Sequence, residues 1–304
     1  MLRGKTIPVA HTRELFLGVT SENSSFPSNY ISTTRYDPLT FIPLCVFNQF
    51  KRYANIYFLV SAILQSIPLI SPLNPISAIA PLLFVISLSV IREGYEDLQR
   101  YKSDIETNGL KTMRYEDDRW RELRWADLKV GDIVRIDNGQ FFPADIALLA
   151  SSDPKGSCFI MTSPLDGEKN LKPRFAIAET QELISMRKEI RLLGRLSWPD
   201  PSPDLGEFSA KFELSGEKAH FFTAKQLLLR GAQLSNTDSV LGVVVYTGKE
   251  TKIMNNSDNP SQKLSQIEAM TNRLIIVIIG IQLLLCVVIG VGSFVWNHVY
   301  AETY

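Results

Sequence analysis

One loop of this 304-residue chain gathers side chains that could act on a phosphate ester. It reads Thr162-Ser163-Pro164-Leu165-Asp166-Gly167-Glu168-Lys169-Asn170-Leu171-Lys172. Two carboxylates flank a glycine, so a tight turn would present both at a surface. An exposed carboxylate on such a turn can orient water, and take its proton, during attack on a phosphorylated residue of another domain. The same Asp-Gly pair is also an ordinary turn signal. The sequence supplies no partner for the chemistry, so the loop alone leaves both readings open.

Other reactive side chains are scattered. Cys45, Cys158 and Cys286 form neither a CxxC pair nor an even framework, which argues against a disulfide-stapled secreted domain and for small buried hydrophobes. His11, His220 and His298 are too far apart to suggest a zinc site. The chain is 45% apolar and 21% charged, with a formal net charge of zero. It therefore lacks the basic excess that would point to nucleic acid. The N-terminus, Met-Leu-Arg-Gly-Lys-Thr-Ile-Pro, has no apolar run behind its charges and is not expected to be a cleaved signal.

The charges are concentrated. From Tyr53 through Ile91 there is none. As a helix rising ~1.5 Å per residue that stretch would be roughly 58 Å long, against a hydrocarbon core of about 30 Å. Ser71, Pro72, Asn74 and Pro75 supply a turn near its middle. The expectation is a hairpin of two spans, near Ile56 to Ile70 and Ile76 to Val90. A third uncharged stretch runs from Leu274 to Trp296, with Trp296 and Tyr300 placed for the far interface. Lys51, Arg52, Arg92, Arg100, Lys102 and Arg273 all flank the same ends of these segments. The N-terminus and the large middle segment are therefore expected in the cytosol and the short C-terminal tail on the other side.

The second span reads as continuing in a helix through Glu93 to Asp104, with Glu96 and Arg100 in the favourable i,i+4 order. Beyond Asn108 and Gly109 the pattern changes to short strands: Val130 to Ile136, Ile146 to Ala150, Phe208 to Leu214 and Val240 to Tyr246. One helix is expected near Glu182 to Leu193, ended by Gly194. Pro199 to Pro203 reads as a loop. The fold class is thus membrane α plus β: three transmembrane helices with a mostly antiparallel β cytosolic domain. The divisions are 1–52 as a cytosolic segment, 53–96 as the hairpin, 97–272 as the cytosolic domain, and 273–304 as the third span and tail.

An ordered series of short stretches resembles the N-terminal part of the type IV P-type ATPases, the phospholipid flippases. These are Asn29 to Tyr36, Phe47 to Leu59, Gln65 to Pro72, and Glu96-Asp97 with Arg100 and Asp104. Next come Val130-Gly131-Asp132, Phe142 to Asp145, and Leu165 to Lys172. Leu229-Arg230-Gly231 with Asn236-Thr237, and Tyr246-Thr247-Gly248 with Thr251-Lys252, complete the series. The resemblance implies that the cytosolic domain is the actuator, whose loop drives hydrolysis of an aspartyl-phosphate. It implies that Glu168 helps water attack, that Asp166 and Gly167 shape its turn, and that Gln65 and Ser66, late in the first span, help choose the lipid headgroup at the entry side, with Asn55 a further substrate-binding residue at the cytosolic end of that span. It further implies Mg²⁺ and ATP for the complete enzyme, a phospholipid substrate and a two-span accessory subunit. Two features depart from the family. Lys169 stands where the family has Thr, and the Asp-Lys-Thr-Gly-Thr phosphorylation motif and nucleotide-binding domain are not in this sequence. The remainder of the pump would have to supply them. Other readings are a non-catalytic membrane module binding lipid or a partner subunit, a piece joined to a separately encoded remainder, and a cation pump.

Overall fold

The computed structural model describes residues 12–17, 26–69, 71–72, 74–187, 194–214, 219–257 and 266–299. In chain order the first elements are β1 (Thr12–Leu17), α1 (Phe41–Gln49), α2 (Tyr53–Gln65), α3 (Ile76–Gly109), β2 (Lys111–Glu116), β3 (Arg119–Arg124), β4 (Ile133–Asp137), β5 (Asp145–Ser151) and β6 (Ser157–Met161). Then come α4 (Ser163–Asp166), β7 (Leu171–Phe175), α5 (Ala178–Arg187), β8 (Gly194–Pro199), β9 (Ser209–Leu214), β10 (His220–Thr223), β11 (Leu227–Leu228), β12 (Gln233–Ser235), β13 (Ser239–Tyr246), α6 (Lys252–Ser257) and α7 (Gln266–Val299). They divide into two compact units. One holds Met1–Ser32 and Ser103–Pro260, the other Thr33–Lys102 and Ser261–Tyr304.

The first unit is built from three sheets, ordered β1-β8-β9-β10, β11-β5-β13-β4-β2-β3 and β12-β6-β7. Every named ladder among the described residues is antiparallel. Strand β5 explains how they stack, because all seven of its residues are buried. Ala147 and Leu149 face a core with Leu15, Leu196, Trp198, Phe212 and Phe222. Ile146 and Leu148 face a second core with Val134, Phe142, Cys158, Ile160 and Leu234. A strand covered on both faces reads as a continuous apolar run, whereas β9 has one buried face and alternates Ala210 and Phe212 with Lys211 and Glu213.

The four expected strands appear within a few residues of their sequence positions. Sequence reasoning did not place a strand at Thr12–Leu17, which pairs along its whole length with β8 and buries Leu15 and Leu17. The helix expected at Glu182 to Leu193 is found four residues earlier, at Ala178–Arg187, and the Ile190 and Leu193 part of that expectation lies outside the described residues. Buried polar groups fix this helix. Thr180 Oγ1 donates to the Leu149 carbonyl at 2.7 Å, and Gln181 accepts from Ser151 N and donates to Ser151 O. Apolar periodicity could not register such contacts. Gly194, the expected helix end, is the first residue of β8, where an added Cβ would lie 2.5 Å from the Glu213 carbonyl oxygen of β9.

In the second unit Glu93 of α3 receives the short helix α1. Its carboxylate accepts from Tyr36 Oη at 2.8 Å and Cys45 Sγ at 2.8 Å. Helices α3 and α7 are long and apolar enough to cross a membrane, and α7 exposes apolar side chains on every side. The expectation of three spans is corrected here to two such helices. Helix α2 has only 13 residues, about 20 Å at ~1.5 Å per residue. It stops at Gln65 because Pro68 lacks an N–H and disfavours helical backbone in the residue before it. Ile70, the expected end of that span, and Tyr300 lie outside the described residues.

Candidate functional site

The loop that opened the sequence reading connects β6 to β7, and its ends are pinned where Met161 pairs with Leu171. Its first half is one helical turn, α4. The amides of Leu165 and Asp166 donate to the Thr162 carbonyl, and that of Gly167 to Ser163. Leu165 packs on the second core, and Gly167 then reverses the chain at φ 75°, a left-handed value glycine adopts without strain. Asp166, Glu168 and Lys169 follow the anchored leucine out into solvent.

Three groups converge on Asp166. Its Oδ2 accepts from Lys172 Nζ at 2.8 Å and Thr162 Oγ1 at 2.9 Å, and its Oδ1 accepts from the Glu168 amide at 2.9 Å. The Lys172 hydrogen bond, followed by that from the Glu168 amide, holds this carboxyl down at about 2. Asp166 is therefore ionised throughout the neutral range and acts as the staple of the turn. Glu168 has its side chain half exposed, with Oε2 2.7 Å from Lys172 Nζ. Of the two carboxylates, Asp166 has three hydrogen-bond donors on it, whereas Glu168 is held by its ion pair with Lys172. The cation beside it is Lys172 of β7, whereas Lys169 is exposed to solvent.

The other three expected site residues lie in the second unit. Gln65 Oε1 accepts from Ser77 Oγ at 3.0 Å, linking the end of α2 to the start of α3. Ser66 Oγ donates back to the Ala62 carbonyl at 2.7 Å. Asn55 is buried, and its amide donates to the Gln49 carbonyl at 2.7 Å, tying α2 to the end of α1. A groove of about 700 Å³ between α2 and α7 is lined by Ile56, Tyr57, Val60, Leu64 and Gln282, but not by Asn55, Gln65 or Ser66. Among the described residues no three His, Cys, Asp or Glu side chains gather to hold a metal ion.

A second constellation, which the sequence showed only as separate fragments, lies buried in the first unit. Asn29 Oδ1 accepts from Arg230 Nη1 at 2.7 Å and the Gly248 amide at 3.0 Å, while its Nδ2 donates to the Trp125 and Pro143 carbonyls. Asp145 accepts from the Arg230 and Lys252 amides at 2.9 and 2.7 Å. Lys252 Nζ donates to the carbonyls of Ser202, Asp204 and Glu207. Asn29, Asp145, Arg230, and Gly248 with Lys252 come from four different stretches quoted for the family resemblance. Residues distant in sequence are thus one lock in space.

Residues 15–79 match the family described as phospholipid-translocating ATPase N-terminal, and residues 107–257 match the P-type ATPase actuator domain. The chain belongs to the phospholipid-transporting P-type ATPase family. It is 40% identical over 272 residues to phospholipid-transporting ATPase tat-1 of Caenorhabditis elegans, covering 90% of this chain and 24% of that protein. It is 39% identical over 291 residues to phospholipid-transporting ATPase C887.12 of Schizosaccharomyces pombe, covering 95% of this chain and 23% of that protein. A probable phospholipid-transporting ATPase 7 of Arabidopsis thaliana is 40% identical over 276 residues, 90% of this chain and 22% of the relative. The chain therefore spans about a quarter of the length of these relatives. The part it spans is the actuator with its neighbouring apolar helices.

Proposed function

We propose that this chain is the actuator-bearing part of an ATP-driven pump that moves phospholipid toward the cytosolic leaflet, and that Glu168 serves hydrolysis of the pump's aspartyl-phosphate. The observation that carries this reading is the β6–β7 loop, in which Asp166 staples an exposed turn and Glu168 stands beside it at the surface. A water oxygen bonds to phosphorus as the P–O bond to the aspartyl carboxyl breaks, its electron pair remaining on that carboxylate. The water proton passes to Glu168, and inorganic phosphate leaves. The phosphorylated aspartate, ATP and Mg²⁺ belong to the remaining three quarters of the pump. Helices α3 and α7 cross the membrane and the shorter α2 enters it, with their Lys- and Arg-bearing ends in the cytosol. Gln65 and Ser66 stand toward the lipid entry side, Asn55 holds the cytosolic end of α2, and a two-span accessory subunit completes the assembly.

The test is a graft of residues 162–175 into an intact phospholipid-transporting ATPase, with phosphoenzyme decay and labelled-lipid uptake as readouts. Glu168→Gln in the graft is expected to slow decay about 100-fold, within the range general-base catalysis contributes. Unchanged decay would overturn the role of Glu168.

A further inference from the structure

The Lys172 amine lies between the two carboxylates of the loop, 2.8 Å from Asp166 Oδ2 and 2.7 Å from Glu168 Oε2. The two ends of this clasp differ in rigidity. Lys172 belongs to β7, where it is paired with Ile160, a fully buried residue of the second core. Glu168 belongs to an irregular, exposed stretch following Gly167. A backbone fixed by a ladder thus carries the cation, and a backbone with few constraints carries the carboxylate. Such an arrangement sets the position of the carboxylate from the sheet.

We infer that Lys172 is a positioning residue for Glu168: it aims the carboxylate in the free loop, then turns its ammonium to the phosphoryl group when the loop docks, keeping its proton and releasing Glu168 to take the water proton. A carboxylate still paired to an ammonium is a poor proton acceptor. A phosphoryl group carries more negative charge than Glu168 and accepts charge-assisted hydrogen bonds strongly, so it competes for the amine as it arrives. Asp166 keeps the amine near the turn throughout, since Lys172 Nζ has donors for both partners. Asp166, held low by the same amine, reports on the clasp in the isolated chain. Lys169, next to Glu168 in sequence but exposed, is not needed for the exchange.

The inference rests on the proposed role of Glu168, and two experiments separate them. In the intact chain in lipid nanodiscs, carboxyl NMR titration of Lys172→Met is expected to return Asp166 from about 2 toward the ordinary carboxylate range; an unmoved Asp166 would mean there is no clasp. In the grafted pump, Lys172→Met is expected to slow phosphoenzyme decay about tenfold or more and Lys172→Arg less than threefold. Lys172→His is expected to decay several-fold faster at pH 6 than at pH 8, as imidazole gains its charge. Slowing that is equal at all pH values and not rescued by arginine would show a merely structural lysine and overturn the inference. If Glu168→Gln slows decay while every Lys172 variant behaves as wild type, the inference fails and the role of Glu168 stands. If Glu168→Gln has no effect, both fail.

Discussion

Asn29 shows how much one short side chain can carry when it is fully used. Its amide is buried and occupied on both ends, by Arg230 and Gly248 on the oxygen and by two carbonyls on the nitrogen. Asn29→Ala removes the acceptor of the Gly248 amide and the donor to the Pro143 carbonyl, and leaves Arg230 Nη1 only the long contact to the residue 29 carbonyl, each lost bond costing about 1–3 kcal/mol. A loss of about 3 kcal/mol or more is expected in denaturant unfolding, and a smaller one for Asn29→Asp, which keeps the acceptor and adds a charge opposite Arg230. Asp145 gives a pH dependence. Complete burial pushes its carboxyl up to about 6, against the lowering effect of the Arg230 and Lys252 amides. Between about pH 4 and pH 6 the folded chain holds a proton that the unfolded chain has released, so stability falls as pH rises through that window. The expected fall is about 3 kcal/mol at most, from roughly two pH units at about 1.4 kcal/mol each. Hydrogen exchange of the β5 amides should show protection declining from pH 4 to 6; protection rising over that interval would contradict the assignment.

At the scale of elements, two junctions depend on residues that periodicity passes over. Gly194 lies against the neighbouring strand so closely that any side chain must displace the Glu213 carbonyl. Gly194→Val is expected to cost about 1–3 kcal/mol, as overpacking does, and to release β1 together with β8 because the two are paired from Thr12 to Leu17. Limited proteolysis near residue 18 measures that release; cleavage no faster than in wild type would count against it. Pro68 sets the length of α2. Replacing it with Ala restores a donor and permits helical backbone at Ile67. Secondary chemical shifts should then extend the helix beyond Ser66, and an unchanged end would place the stop elsewhere.

For the whole molecule, the charge asymmetry and the comparison with relatives give two expectations. A cysteine introduced at Asp153 should react with an impermeant reagent only from the cytosolic side, and one at Asn74 only from the opposite side. The exposed Cys286 is first replaced by Ala in both variants. Labelling of both from one face would exclude the topology. The chain alone, lacking the Asp-Lys-Thr-Gly-Thr motif, is expected to form no phosphoenzyme from labelled ATP, and an acid-stable label on it would overturn that division of labour. Joined to the missing three quarters of a relative, it is expected to support lipid uptake.

What the sequence determined by itself is what short-range physics controls. Uncharged runs ending in Lys and Arg marked the apolar helices, alternation at Phe208 to Leu214 marked β9, and Asp-Gly-Glu marked a turn, because each depends on neighbours within a few residues. Family membership was also legible, since the fragments that signal it keep their order along the chain. The tertiary structure decided the rest. Thr12–Leu17 is a strand only because β8, nearly two hundred residues away, offers it an edge. The scattered motifs acquired a common purpose only when folding buried Asn29, Asp145, Arg230 and Lys252 together. A buried polar group must find partners, and those partners lie wherever the chain returns. The cation that holds Glu168 is Lys172 rather than its neighbour Lys169 for the same kind of reason. Strand β7 turns Lys172 back toward the carboxylates, while Lys169 follows the exposed turn into water.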